Sequence, residues 1–170
     1  MTNIAKSKAI ALLLLVAGLA AICTAWGFQL IGGYVPCKLC LEQRVPYYAG
    51  LPLTVFGLLL MSRNRPRLAS GVMVVVALVF AYGAGLGIYQ SGAEWGFWAG
   101  PSDCGGGSAG PADAANMLSA LKATRVVSCT EASWRMLGLS FAGWNAVASA
   151  GLTLLAALSA ALSFRGERQS

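Results

Sequence analysis

Two cysteines separated by two residues, Cys37 and Cys40, are the residues of this sequence best suited to chemistry. They lie in the segment VPCKLCLEQR, residues 35–44, which ends at Arg44. A disulfide between cysteines this close in sequence closes a small ring and restrains little of the unfolded chain. Pairs with this spacing are typical of redox-active sites, in which the thiolate is the reactive form.

Arg44 follows Cys40 by four residues, so the two side chains would share one face of a continuous helix. A guanidinium there could hold a thiolate or a carbonyl oxygen, or it could anchor the helix end at lipid phosphates. The spacing does not separate these two interpretations. A helix N-terminus near Cys40 would also favour the thiolate. Pro46 removes a backbone hydrogen bond, so the helix either begins near Arg44 or bends there.

Three further cysteines are Cys23, Cys104 and Cys129. Cys23 lies within a long apolar segment, where we expect a small buried side chain without chemistry. Sequence distance favours the pairs Cys37–Cys40 and Cys104–Cys129, and the second pair would close a loop worth roughly 3 kcal/mol as a structural disulfide. Zinc binding is the alternative, but it would need two C-x-x-C pairs or histidines. The chain has one such pair and no histidine.

The composition indicates a membrane protein. Of 170 residues, 57% are hydrophobic and 11% are charged, with a mean hydropathy of +0.67, whereas soluble domains have roughly 25% charged residues. A helix needs about 20 apolar residues to cross a bilayer. Charged residues are absent from the stretches 9–37, 45–62, 68–93 and 136–164. We therefore predict one all-α membrane domain over residues 1–170, a four-helix transmembrane bundle with helices at about 9–30, 44–62, 68–90 and 143–163.

Basic residues predict the orientation of this bundle. Seven of them lie on one side: Lys6, Lys8, Arg63, Arg65, Arg67, Arg165 and Arg168. By the positive-inside rule that side is cytoplasmic, so both termini would lie in the cytoplasm. The loops at about 31–43 and 91–142, with four of the cysteines, would face the oxidising periplasm of a bacterium. A cleaved signal peptide is the alternative for the first segment, although its apolar run is long for one.

The long loop between the third and fourth helices contains two recognisable segments. GGGSAGP, directly after Cys104, predicts a flexible stretch. Asp113 could cap a helix whose apolar residues share one face. That helix would lie on the membrane surface or pack on protein, and the sequence favours neither. The net charge of +6 is mainly a topology signal, because no basic patch interleaved with aromatic residues indicates nucleic acid.

Over nearly its full length the sequence resembles the DsbB family of bacterial inner-membrane disulfide bond formation proteins. Four motifs carry the resemblance: GFQ, which ends at Gln29; PCKLCLEQR, which matches the family's Pro-Cys-x-Leu-Cys-x-x-x-Arg; EWGFWAGPSDC, which leads into Cys104; and SCTEASWRMLGLSFAGWNA, which contains Cys129. The second and fourth motifs are specific in combination, whereas C-x-x-C alone is a weak signal.

The resemblance implies an enzyme, a disulfide-generating protein-thiol:quinone oxidoreductase without a metal. Members of the family reoxidise a DsbA-like periplasmic thiol oxidase, whose thiolate would attack the Cys104–Cys129 disulfide at Cys104. Electrons would then pass to Cys37 and Cys40, and Cys40 would face ubiquinone or menaquinone as a thiolate. Each turnover would make one disulfide and one quinol.

The resemblance also implies that Arg44 supports quinone binding, with Gln29 and Gln90 as further candidates. Many family members carry a histidine near the end of the third helix, where this sequence has Gln90 in IYQSG. Because the chain has no histidine, a mechanism with an essential imidazole base is excluded. Gln90 could hydrogen-bond a quinone oxygen in its place.

Two other classes of protein remain open. A vitamin K epoxide reductase-like enzyme is also a four-helix thiol–quinone enzyme, but its loop cysteines precede the C-x-x-C pair. A non-enzymatic membrane protein that uses thiols as metal ligands would bind metal stoichiometrically and show no dependence on quinone. A quinone-reduction assay with a reduced partner protein would distinguish these classes.

Overall fold

A computed structural model describes residues 3–100, 125–126, 132 and 134–167 of the chain. The helices in these residues are α1 (Asn3–Leu30), α2 (Lys38–Glu42), α3 (Val45–Ser62), α4 (Pro66–Glu94) and α5 (Phe141–Glu167). The strands are β1 (Tyr34–Val35), β2 (Arg125–Val126), β3 (Arg135–Met136) and β4 (Leu139–Ser140). Cys104, Cys129, the glycine-rich segment and the helix predicted after Asp113 lie outside the described residues.

Four helical segments of the described chain are long and apolar enough to cross a membrane. They are α1, α4, α5 and the span Lys38–Ser62, which contains α2 and α3. The all-α fold with four transmembrane helices is therefore confirmed. The helices continue beyond the predicted ranges: α1 begins at Asn3 instead of residue 9, α4 ends at Glu94 instead of residue 90, and α5 covers Phe141–Glu167 instead of 143–163. The observed helix ends differ from the predicted ends because a helix can continue through polar and charged residues beyond its apolar stretch.

The chain bends between α2 and α3. The helix α2 ends at Glu42 and α3 begins at Val45, with Pro46 in its first turn, where a proline costs no helical hydrogen bond. The predicted loop over residues 31–43 therefore contains a short helix, Lys38–Glu42. Since the helix is not continuous from Cys40 to Arg44, the expected relation of these two side chains along one helical face does not apply.

The hydrophobic core lies where the four membrane-spanning segments meet. It is built around buried side chains of all of them: Leu14, Tyr47, Met61, Met73, Phe80 and Leu152. The helices α4 and α5 pack closely at Gly87, where an added Cβ would lie 2.8 Å from the backbone nitrogen of Ala146. Small residues allow such close contact between membrane helices. This contact fixes the position of Gln90, one turn further along α4, relative to Asn145 on α5.

Serine side chains join α1 to α5 elsewhere in the bundle. The hydroxyl of Ser7 lies 2.9 Å from that of Ser159 and 2.8 Å from that of Ser163, and all three residues are fully buried. Hydrogen bonds between helices are a common source of association energy in membranes. These contacts hold the first and last helices together at a distance from the cysteine pair.

Cys23 is exposed on the outer face of α1. The expectation that it is buried is therefore wrong. Neighbouring residues on the same helix, Leu19 and Trp26, are also exposed large apolar side chains. In a membrane this face contacts lipid, which is as apolar as the protein core.

Two small sheets lie beside the helix ends. Strands β1 and β2 pair in parallel, with Tyr34 opposite Arg125 and Val35 opposite Val126. Strands β3 and β4 form an antiparallel hairpin whose turn residues, Leu137 and Gly138, both have positive φ. Such a turn matches the twist of a hairpin, although a leucine adopts it at some cost. The hairpin leads directly into α5.

Candidate redox site

The short helix α2 determines the geometry of the cysteine pair. Cys37 is its N-cap residue, and its sulfur accepts a hydrogen bond of 3.3 Å from the backbone nitrogen of Cys40. The two cysteines are free, and the thiol of Cys37 donates to the sulfur of Cys40 at 2.8 Å. Cys37 is buried and Cys40 is half-buried. The predicted disulfide between them stays a prediction.

The two cysteines have different environments. The hydrogen bond to Cys40, together with burial, raises the pKa of the Cys37 thiol above its ordinary value. Cys37 is therefore the member that keeps its proton. Cys40 accepts from Cys37 and from the amide nitrogen of Gln90, which lies 3.6 Å from its sulfur. Hydrogen bonds donated to a sulfur stabilise its charged form, so Cys40 is the better placed thiolate.

A cavity of about 470 Å³ lies beside Cys40. Its volume falls in the range of about 300–1,000 Å³ that is usual for pockets that bind small molecules. Apolar and aromatic side chains form most of its lining, among them Ala21, Ile22, Ala25, Phe28, Tyr34, Trp134, Met136, Phe141, Ala142, Trp144 and Ala148. The polar residues of the lining include Thr24, Gln29, Cys40, Gln43, Arg44, Tyr47 and Asn145. The cavity is thus an apolar space with a few polar groups and one cysteine.

Aromatic rings from distant parts of the chain form one wall. The ring centroids of Phe28 and Phe141 are 4.9 Å apart, and Trp134 stacks on Phe141 at 5.2 Å. Trp144 donates a hydrogen bond of 3.1 Å to the backbone oxygen of Met136 and so fixes the hairpin to α5. Aromatic pairs of this kind add to the energy of burial. The wall therefore joins α1, the hairpin and α5.

Arg44 is buried, with 8% of its surface exposed, and its side chain is directed to α1. Its guanidinium donates to the side-chain oxygen of Gln29 at 2.6 Å and to the backbone oxygen of Ala25 at 3.4 Å. The same group lies 5.3 Å from the centre of the Trp26 ring. These three partners are neutral, so the positive charge remains available to a ligand in the cavity. Such burial argues against a role in binding lipid phosphate.

Side-chain amides connect the cysteine pair to α5. The side-chain nitrogen of Asn145 donates to the side-chain oxygen of Gln43 at 2.6 Å. The side-chain nitrogen of Gln43 donates in turn to the side-chain oxygen of Gln90, also at 2.6 Å. We call Asn145, Gln43 and Gln90 the amide chain. Sequence reasoning missed Gln43 and Asn145, because no motif spacing relates them. A polar residue inside a membrane helix is the signal that could have identified Asn145.

The structure brings five of the seven predicted site residues together. Gln29, Cys40 and Arg44 line the cavity. Cys37 and Gln90 both contact Cys40, but neither of these two described residues lines the cavity. Among the described residues, no group of three or more His, Cys, Asp and Glu side chains could hold a metal ion.

Comparisons with known proteins agree with this geometry. The family model described as "Disulfide bond formation protein DsbB" matches residues 7–159. A protein from Polaromonas sp. (strain JS666 / ATCC BAA-500), "Disulfide bond formation protein B", is 29% identical over 143 residues, which cover 76% of this chain and 79% of that protein. No solved structure matches the chain. The family match includes the cysteine pair, the cavity lining and at least part of each of the four membrane segments, and the chain belongs to the DsbB family, the multi-pass inner-membrane oxidoreductases of disulfide bond formation.

Proposed function

We propose that this protein oxidises a DsbA-like periplasmic dithiol and passes the two electrons to a membrane quinone. Cys104 and Cys129 would exchange with the partner, and Cys37 and Cys40 would reduce the quinone. The observation that carries this proposal is the cavity, which has both Cys40 and Arg44 in its lining.

The residues of the cavity fit a quinone. Its aromatic and aliphatic lining suits an apolar ring with an isoprenoid tail, and its volume suits a ligand of that size. Arg44 still has N–H groups to offer a quinone oxygen after its two hydrogen bonds to α1, because a guanidinium is rich in donors. When bound, a quinone supplies an acceptor for two electrons and two protons.

The side chains of the site have separate roles in this scheme. Cys40 lies on the cavity wall, and the donors around its sulfur favour the thiolate. Cys37 lies in contact with it and keeps its proton, so it is placed to close the disulfide. Closing that disulfide from one thiolate and one thiol releases two electrons and one proton, and the second proton that a quinol needs comes from water, to which Cys40 gave its own proton when it ionised. Gln29 holds Arg44 at the cavity.

Electron transfer between the two cysteine pairs is supported by the parallel sheet. Strand β1 leads toward Cys37, and β2 leads in the same direction along the chain toward Cys129. Cys129 lies outside the described residues, but it follows Val126 by three residues, a chain length of about 10 Å at most. The pairing of β1 with β2 thus favours a thiol–disulfide exchange between the two periplasmic loops.

The basic residues support an orientation with both termini in the cytoplasm. In that orientation the cysteine pair and the parallel sheet lie at the periplasmic side, where a soluble thiol oxidase has access. The cavity lies at the same end of the bundle, within reach of quinone dissolved in the bilayer.

The test is a coupled assay of purified protein in detergent, with a reduced DsbA-like partner and either ubiquinone or menaquinone. We expect the partner to be oxidised and the quinone to be reduced in equal amounts. Cys40→Ala should abolish quinone reduction, whereas Cys23→Ala should leave it unchanged. Sustained turnover of the partner without quinone, beyond the equivalents that the protein's own disulfides can oxidise, or full activity of Cys40→Ala, would contradict the proposal. Stoichiometric zinc without quinone reduction would favour the metal-binding class.

A further inference from the structure

The amide chain has a fixed direction. At its Gln90 end the amide nitrogen faces three acceptors: the sulfur of Cys40 at 3.6 Å, the sulfur of Cys37 at 3.9 Å and a carboxylate oxygen of Glu94 at 3.4 Å. A side-chain amide donates only through its nitrogen and accepts only through its oxygen. If Gln90 were reversed, its oxygen would face a carboxylate and a sulfur. The nitrogen of Gln90 is therefore held toward Cys40.

The orientation of Gln90 determines the orientation of the other two amides. Because the oxygen of Gln90 faces Gln43, Gln43 must present its nitrogen there and its oxygen to Asn145. Asn145 in turn donates to Gln43 and accepts a hydrogen bond of 2.8 Å from the hydroxyl of Tyr47. Every donor from Tyr47 onward thus points toward the cysteine pair.

Burial makes this arrangement costly to disturb. Gln90 has 1% and Gln43 has 5% of its surface exposed, so neither can exchange a lost partner for water. A buried amide without a partner is destabilised by the loss of hydration. Hydrogen bonds in a connected buried chain also polarise one another, by about 10–30% per bond. The donor that reaches Cys40 is therefore strengthened by the two amides behind it.

We propose that Gln43 and Asn145 are positioning residues that stabilise the thiolate of Cys40 through Gln90. The inference rests on the proposed function, because Cys40 is the cysteine that would face the quinone. It assigns to Asn145, which is 102 positions from Gln43 in sequence, an influence on the reactivity of a sulfur that it does not contact. It also assigns to Gln90 the role of a hydrogen-bond donor to the sulfur of Cys40.

The test measures the reactivity of Cys40 in the full-length, fully reduced protein in detergent, without quinone or partner. The rate of alkylation by iodoacetamide, followed at Cys40 by peptide mass spectrometry over a series of pH values, reports the thiolate, because a weaker donor moves the midpoint of the profile to higher pH whereas a change in access moves only its plateau. The variants are Gln43→Met, Asn145→Leu and the double variant, all neutral and close in volume to the native residues. The control is Ser159→Ala, which removes a buried hydrogen bond between helices at a distance from the cysteines.

We expect Gln43→Met to slow alkylation of Cys40 by about 3-fold and Asn145→Leu by about 2-fold, because the terminal donor is weakened and less well oriented. The double variant should match Gln43→Met, since removing Gln43 already disconnects Asn145. Ser159→Ala should not change the rate. Multiplied effects in the double variant, or unchanged rates in both single variants, would overturn the proposal. If Gln43→Met does not fold, the alkylation rates of Asn145→Leu and Ser159→Ala are compared. Equal rates in these two variants would reject the positioning role of Asn145.

The outcome of this test can be distinguished from the outcome of the quinone-reduction assay. If the protein does not reduce quinone but the variants show the expected alkylation rates, the positioning role is supported and the proposed quinone reduction is rejected. If the protein reduces quinone but the variants show no change in alkylation, the quinone reduction is supported and the positioning role is rejected.

Discussion

The guanidinium of Arg44 donates to the side-chain oxygen of Gln29 at 2.6 Å, across the boundary between α3 and α1. Both residues line the cavity beside Cys40, and they lie 15 positions apart in sequence. This contact makes the position of a buried positive charge depend on a neutral side chain of another helix. Two predictions concern this pair.

Arg44→Lys should raise the KM for quinone, because a lysine keeps the charge but not the planar set of donors. Arg44→Ala should raise it further, since it also removes the cation beside the cavity. A lost charge-assisted hydrogen bond of about 1.5–3 kcal/mol corresponds to roughly 10- to 150-fold in KM. Quinone-reduction kinetics at one pH and in one detergent measure this effect. Arg63→Ala, an exposed residue of the loop between α3 and α4, is the control, and unchanged kinetics of both Arg44 variants would remove Arg44 from the site.

Gln29→Leu should act through Arg44. It removes the acceptor of the shortest hydrogen bond of Arg44 while it retains the volume of the side chain. We expect a rise of about 5- to 10-fold in the KM for quinone, below the range for a lost hydrogen bond to a charged group, because Arg44 itself stays in the site. The double variant Gln29→Leu/Arg44→Ala should be no worse than Arg44→Ala alone. Additive effects on the free energy would show that Gln29 acts separately from Arg44.

The resting protein should contain the disulfides Cys37–Cys40 and Cys104–Cys129, with Cys23 free. Cys23 is exposed on the outer face of α1, where lipid would contact it in a membrane. Peptide mass mapping after acid quench identifies these bonds. A disulfide that includes Cys23, or zinc bound at stoichiometry, would argue against the relay of electrons between the two pairs.

A periplasm-active reporter fused after Ser170 should be inactive. The seven basic residues at one side of the bundle favour cytoplasmic termini. The same reporter inserted between residues 108 and 109 of the long loop should be active and serves as the positive control. Strong activity after Ser170 would contradict the orientation.

Gly87→Ala should destabilise the protein and reduce its activity. An added Cβ would lie 2.8 Å from the backbone nitrogen of Ala146, so α4 and α5 would have to separate near Gln90 and Asn145. Gly85→Ala is the matched control on the same helix, because an added Cβ there has no neighbour within 4 Å among the described residues. Thermal unfolding in detergent should show a lower midpoint for Gly87→Ala and an equal or higher one for Gly85→Ala. Equal midpoints for both variants would refute the tight contact.

The membrane fold could be predicted from the sequence because charged residues are excluded from hydrocarbon. The four stretches without charged residues therefore mark the four spans. The contact between Cys37 and Cys40 could be predicted because two cysteines in one short motif are local information. The exposure of Cys23 was predicted wrongly, since an apolar residue satisfies the core and the lipid-facing surface equally well.

The partners within the site could not be predicted in the same way. Asn145 meets Gln43 because α5 packs on α4 at one rotation, which Gly87 and Ala146 determine by their small size. The direction of Arg44 depends on the bend between α2 and α3, which turns its side chain toward α1. Pro46 predicted a bend or a helix start, but not where the guanidinium would lie.

The aromatic wall has a consequence for biogenesis. Phe28 enters the membrane with the first helix, but Phe141 and Trp134 are synthesised after more than three quarters of the chain. A nascent chain that has inserted its first three spans already carries Cys37 and Cys40 but lacks the wall on which the cavity depends. The cavity is therefore completed only by insertion of the last helix, and an interrupted translation product would carry the cysteine pair without the cavity beside it.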